Sequence, residues 1–185
     1  MTALLKIDDH DFAPPLLTGA DVMTMTRAGI LPEGRGYELI EGVLVKMAAQ
    51  NAPHVETIVD LMRFFIGALP AEHAVAPAPT LFLSDTLLLE PDIAIYTRGR
   101  ASTDLRGPDL HLVVEVSDTT LRYDLGKKAA LYAAHGVRDY WVIDLNGAVL
   151  HRHADPAPGG YPAPEAIPFG QPVPLPFIDG IALTL

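Results

Sequence analysis

The sequence predicts a single α/β (α+β) domain, and three observations carry that expectation. Leu112-Val113-Val114-Glu115-Val116 is a near-continuous β-branched run, the mark of a strand covered on both faces. Residues 53 to 69 and about 121 to 134 place apolar side chains at helical spacing. The second of these stretches is followed by another buried run, Tyr140-Trp141-Val142-Ile143-Asp144. Strand, helix and strand in that order predict a right-handed βαβ crossover.

Residues 1 to 36 read as an arm or cover rich in turn formers, with a short helix from Thr18 to Ala28 that Gly19 weakens and Gly29 stops. From Tyr37 the run YELIEGVLVKM gives two apolar stretches around Glu41-Gly42, a hairpin signal with the turn at those two residues. Asn51-Ala52-Pro53 offers a helix start, since proline is tolerated in the first turn. Val55, Ile58, Val59, Met62, Phe65, Ile66 and Leu69 then follow at helical spacing, and Pro70 ends the helix. Between residues 74 and 96, Pro77, Pro79 and Pro91 confine strands to short pieces, the clearest being Ile93 to Tyr96. His135-Gly136 closes the second helix, and Asn146-Gly147 turns the chain into a strand from Ala148 to His151. The core thus runs from about 37 to 154. The prolines from Pro156 to Pro176 rule out a regular helix and predict an extended tail over 155 to 185.

At 185 residues and 49% hydrophobic content, the chain can bury one sizeable core but is short for two. It contains no uninterrupted apolar run of about 18 residues. Acidic residues also stand near the N-terminus where a signal peptide needs basic ones. The expectation is a cytoplasmic protein without membrane association. The lack of cysteine excludes disulfides, thiolate catalysis and a Cys-type zinc site, leaving carboxylates, imidazoles and carbonyls as metal donors. A formal net charge of −10 argues against a broad basic surface for nonspecific nucleic-acid binding. An enzyme of nucleic acids would have to gather its few cations at one groove.

Two carboxylates carry the chemistry. Asp92, in Glu90-Pro91-Asp92-Ile93-Ala94-Ile95, opens an apolar strand; it reads either as a turn residue after proline or as a metal ligand fixed at a strand end. Glu115 lies inside LVVEV, where a strand buried on both faces would bury its charge, and an isolated buried charge costs several kcal/mol or shifts its pKa. A Glu–Arg pair would satisfy it, but a metal explains it better. Carboxylates from neighbouring strands suit Mg²⁺ or Mn²⁺, which prefer oxygen ligands and keep waters. On a 100° wheel Leu121, Leu125, Leu131 and Tyr132 share one arc; Lys128 falls inside it and Lys127 at its edge. Lys128 therefore points toward the sheet, as a functional cation or as a stem covering apolar surface. His151 and His153 share a strand face and could bind a transition metal, though with Arg152 between them and no third ligand of clear spacing a solvated strand accounts for them better. There is no phosphate-cradling glycine loop and no glycine-flanked nucleophilic serine.

Taken together, YELIEG, a helix opening with His54, EPDIAI and LVVEVSDTTLRYDLGKKAALYAAHGVRDYWVID resemble the Uma-type family of restriction endonucleases, within the PD-(D/E)XK nuclease superfamily. The likeness spans about Tyr37 to Asp144. It implies a restriction-endonuclease-like mixed central β-sheet flanked by helices, Asp92 and Glu115 as metal ligands, and an active-site lysine moved from strand to helix at Lys128. It also implies that Glu38 or Glu41 completes the metal shell, against ordinary hairpin polarity, and it draws His54 to the site, against a hydrogen-bonded core histidine. The departure is Ser117, which stands two residues after Glu115 where lysine is usual. The implied activity is a Mg²⁺- or Mn²⁺-dependent endonuclease acting on DNA. Because such folds often pair, a homodimer is implied too, though no interface is legible. The alternative is a catalytically silent nuclease fold serving as a binding or regulatory partner. A small β-barrel metal protein using His151 and His153 is a third reading, which the two strong helices oppose.

Overall fold

The computed structural model describes residues 16–32 and 36–185; the first fifteen residues of the expected arm lie outside them. Helix α1 (Gly19–Arg27) begins at Thr18, whose hydroxyl accepts from the backbone N–H of Asp21 while the Asp21 carboxylate accepts from the backbone N–H of Thr18. That reciprocal cap offsets the weakness Gly19 brings to the first turn. Val22 packs with Leu39 and Leu88, so the arm is seated on the body of the protein.

Strands β1 (Tyr37–Ile40) and β2 (Val43–Lys46) form the expected hairpin, with Ile40 opposite Val43. Glu41 and Gly42 both have positive φ, 51° and 79°, as a two-residue hairpin turn matching strand twist requires. The hairpin belongs to a four-stranded sheet, order β2-β1-β5-β4, completed by β4 (Leu81–Ser84) and β5 (Leu87–Leu89).

The second sheet has six strands in the order β10-β9-β8-β7-β6-β3. It comprises β3 (His73–Pro77), β6 (Ile93–Thr97), β7 (Leu110–Ser117), β8 (Asp139–Asp144), β9 (Val149–Ala154) and β10 (Glu165–Pro168). β7 is central, antiparallel to β6 and parallel to β8. Parallel neighbours need a crossover, and the chain between β7 and β8 supplies a helix. That helix is not uniform: α3 (Leu121–Tyr123) passes through a π-helical turn (Asp124–Lys128) into α4 (Ala129–Ala134), where Ala129 N–H bonds Asp124 C=O.

Strand alternation splits the core between the two faces of this sheet. Val113, Tyr140 and Val142 pack with Ala129 and Tyr132 of the crossover helix. Ile93, Val114, Trp141 and Ile143 pack with Leu61 and Phe65 of helix α2 (Ala52–Ala68). The buried stripe of α2 is His54, Leu61 and Phe65. Val55, Val59 and Ile66, which the apolar spacing also singled out, are exposed at 45%, 50% and 63%. α2 carries two apolar stripes, and the sheet covers one of them.

The proline-rich tail is extended, as expected, yet it is built into the body. β10 pairs with β9, and Val173, Leu175 and Leu183 enter the core beneath α2. Proline is compatible with β10 because that strand is an edge. Val173–Pro174 (β11) and Ala182–Leu183 (β12) make a short antiparallel ribbon. No described helix is long and apolar enough to cross a membrane.

Candidate active site

Ile93 of β6 pairs with Val114 of β7 in antiparallel register, so the preceding residue, Asp92, stands across from Glu115. Facing residues of an antiparallel pair project on the same side. Both carboxylates line a cavity of about 370 Å³ at the end of the sheet, with Glu38, His54, Asp124 and Lys128 also in its wall. The turn reading of Asp92 is too weak for what surrounds it. Oδ2 accepts from the Val116 backbone N–H at 2.8 Å and lies 3.1 Å from His54 Nε2, while Oδ1 accepts from Gln50 Nε2 at 3.2 Å. A carboxylate anchored this way has one orientation.

Glu115 is 4% exposed and has no arginine partner among the described residues. Lys128 Nζ donates to its Oε1 at 2.9 Å and the Tyr132 hydroxyl donates to the same oxygen at 3.0 Å. Both of these bonds fall on Oε1. Burial raises the Glu115 carboxyl to about 8; Lys128 opposes that rise, and Asp92, Asp124 and Glu38 add to it. Lys128 moves upward as well: burial works against its charge, but Glu115 and then Glu38 outweigh it. One ammonium serves two carboxyls, since Nζ also stands 3.0 Å from Glu38 Oε1. The lysine is thus held charged while Glu115 readily takes a proton.

The second sheet supplies Glu38. It is 3% exposed, far from ordinary hairpin polarity, and its Oε1 also accepts from the Glu90 backbone N–H at 3.3 Å. Glu41 sits in the hairpin turn outside the cavity, its side chain 74% exposed and 3.5 Å from Lys127 Nζ. Of the two acidic residues that motif order offered, the fold brings Glu38 to the cluster and leaves Glu41 at the surface. Of the two lysines, Lys128 is buried and Lys127 is half exposed.

Ser117 shares the Glu115 face two residues on. Its hydroxyl donates to Asp124 Oδ2 at 2.7 Å, and the Thr120 hydroxyl donates to the same oxygen. The position that usually carries lysine therefore holds a buried aspartate by a hydroxyl. Asp124 and Gln50 went unread in the sequence, and Tyr132 was read only as an apolar member of the inward arc. Asp124 stands four residues before Lys128, but an apolar count does not register a carboxylate, nor the donor at a phenol tip. Gln50 precedes the α2 N-cap and carries no signal of its own.

Asn51 caps α2 by accepting from the His54 backbone N–H at 3.1 Å, and its amide also donates to Asp118. Asn146 in turn donates to Asp118 Oδ1 at 2.8 Å. The start of α2, the loop after β7 and the turn after β8 are tied together beside the cavity, which fixes His54 against Asp92. His151 and His153 gather no third ligand. His153 stacks on Tyr140 and meets Tyr161 at a tilt, its two ring nitrogens without hydrogen bonds, and burial lowers its pKa. Among the described residues no group of three or more His, Cys, Asp or Glu forms an ion cage.

Two carboxylates on neighbouring strands suit a hard cation that keeps several waters better than a closed cage. An octahedral ion needs only one or two protein carboxylates, so the donor set of Asp92 and Glu115 fits it. A central mixed sheet with helices on both faces is the restriction-endonuclease-like fold. The chain belongs to the Uma2 family, whose model, described as "Putative restriction endonuclease", matches residues 25–185. Among solved structures it is similar to a nuclease of the DUF820 group from Anabaena variabilis, itself described as putative. The identity is 16%, the TM-score 0.67, and the match covers 86% of this chain and 93% of that one. No curated protein matches the chain.

Proposed function

We infer that the protein is a Mg²⁺- or Mn²⁺-dependent endonuclease that hydrolyses DNA phosphodiester bonds, with Asp92 and Glu115 as the metal ligands. The observation that carries this reading is their placement across from each other, just before β6 and on β7, lining one cavity with a buried lysine. A bound ion would supply an activated water and neutralise charge on the scissile phosphate. The chain's own residues do the rest. His54 and Gln50 fix the Asp92 carboxylate, a supporting shell of the kind that orients metal ligands. Lys128 holds Glu115 and Glu38 and offers the cation nearest the carboxylates, placed to stabilise charge that develops on the phosphate. Glu38 holds Lys128 from the other side.

Incubating supercoiled plasmid and single-stranded DNA with the protein and Mn²⁺ or Mg²⁺ tests the reading. Nicking is expected with either ion, lost with EDTA and lost in Asp92→Ala and Glu115→Ala. No cleavage by the native chain, or cleavage that survives both substitutions, would contradict it. A silent nuclease fold is the second reading, favoured by Ser117 serving Asp124 in place of a strand lysine. In the same assay it requires intact DNA under every condition. The homodimer that the family likeness implies is checked by particle mass in solution, where a monomer at all concentrations would contradict it.

A further inference from the structure

Tyr123 lines the same cavity, yet neither metal holding nor charge balance uses it. Its hydroxyl is shut off from bulk solvent and has no hydrogen-bond partner. A buried hydroxyl without a partner is destabilising, so such groups are retained where something else satisfies them. The charges that act on this phenol are Glu38, Lys128, Asp124 and Glu115, every one of them in the cavity wall. In the same cavity wall, His54 Nδ1 is a second buried atom without a partner. The unpartnered groups elsewhere, on His73, Trp141 and His153, belong to residues outside the cavity wall.

The Tyr123 phenol makes no hydrogen bond in either direction, and its O–H is satisfied by a ligand that presents an acceptor. A phosphate oxygen is the acceptor consistent with a site read as a phosphodiesterase, and in this the inference rests on the function proposed above. We propose that Tyr123 is a phosphate-contacting residue, its hydroxyl donating a hydrogen bond to a non-bridging oxygen of the phosphate that enters the cavity. It stands one residue before Asp124, at the end of α3 where the π-helical turn begins.

Tyr123→Phe is the test, because it removes one oxygen and keeps the ring. Thermal unfolding in EDTA should show no loss of stability, since the free protein makes no bond through this oxygen. Calorimetric titration with thymidine 5′-monophosphate in Mn²⁺ should show binding by the native chain, weakened about 10- to 100-fold in the variant, the range for a hydrogen bond to a charged group. Mn²⁺ affinity should be unchanged. Where plasmid is nicked, the variant's kcat should fall with the same factor. Native binding and a weakened variant without any DNA cleavage would leave this contact standing and remove the nuclease reading. Equal nucleotide binding by both proteins, no nucleotide binding by the native chain, or a variant that unfolds several degrees earlier would overturn the assignment.

Discussion

Lys128 and Glu115 together set the protonation chemistry of the cavity. Lys128→Met leaves Glu115 and Glu38 buried without their shared cation, and breaking such a pair costs about 3 to 5 kcal/mol. Glu115, whose carboxyl is already raised by burial, can take a proton instead, so chemical denaturation should show the deficit largest near pH 8 and smaller near pH 5. Lys127→Met, at an exposed pair, should change stability by less than about 1 kcal/mol. Glu115 itself has its folded pKa raised from 4.5 to about 8. Its contribution to the metal-free fold is therefore full below about 4.5 and is lost as pH rises through about 8. Metal binding runs the other way, because the ion needs the carboxylate. Between those limits Mn²⁺ binding should release close to one proton, and affinity should fall about tenfold per pH unit as pH drops. Calorimetry in buffers of different ionisation heat measures that proton; an affinity flat from pH 6 to 8 would contradict the raised pKa.

At the level of elements, the crossover helix joins fold and site. In a regular α-helix each residue turns the chain by about 100°. The π-helical turn inserts an extra residue between Asp124 and Ala129, and both ends of that turn are buried in the site. Deleting Gly126, which has open space around it, should restore a regular helix and rotate Asp124 by about 100° relative to Lys128 and Tyr132. Circular dichroism should stay native-like while plasmid nicking is lost; full activity would show that the π-turn is not needed. The wheel placed Lys128 correctly in the sequence because Lys128 closes that turn and Tyr132 follows it four residues on in regular α4. The hairpin, β7 and β8 were legible for equally local reasons: two positive-φ turn residues and two unbroken apolar runs. What stayed hidden is nonlocal. Glu38 and Glu41 read alike until the four-stranded sheet turns one over the cavity. The two stripes of α2 read alike until the six-stranded sheet covers only one.

Across the whole molecule, the tail completes the sheet that carries the site. Ending the chain after Ala154 would remove β10, expose the edge of β9 and strip Val173, Leu175 and Leu183 from the core. Burial of each such side chain is worth about 1.5–3 kcal/mol, a large share of a typical fold's margin, and an open strand edge invites aggregation. The truncated chain should be aggregation-prone and lack a cooperative thermal transition. A soluble, cooperatively folded 1–154 fragment would mean that the tail is ornament. Packing at the other end of the crossover is just as tight, since a Cβ on Gly107 would meet the His135 carbonyl oxygen at 1.9 Å.

A shared ion between β6 and β7 is the claim on which the molecule's chemistry turns, and calorimetric titration with Mn²⁺ at pH 8 addresses it without needing a substrate. The native chain should bind one ion, with Asp92→Asn and Glu115→Gln each abolishing the heat while remaining folded. A native chain that binds no Mn²⁺, or binding that persists in both variants, would contradict it.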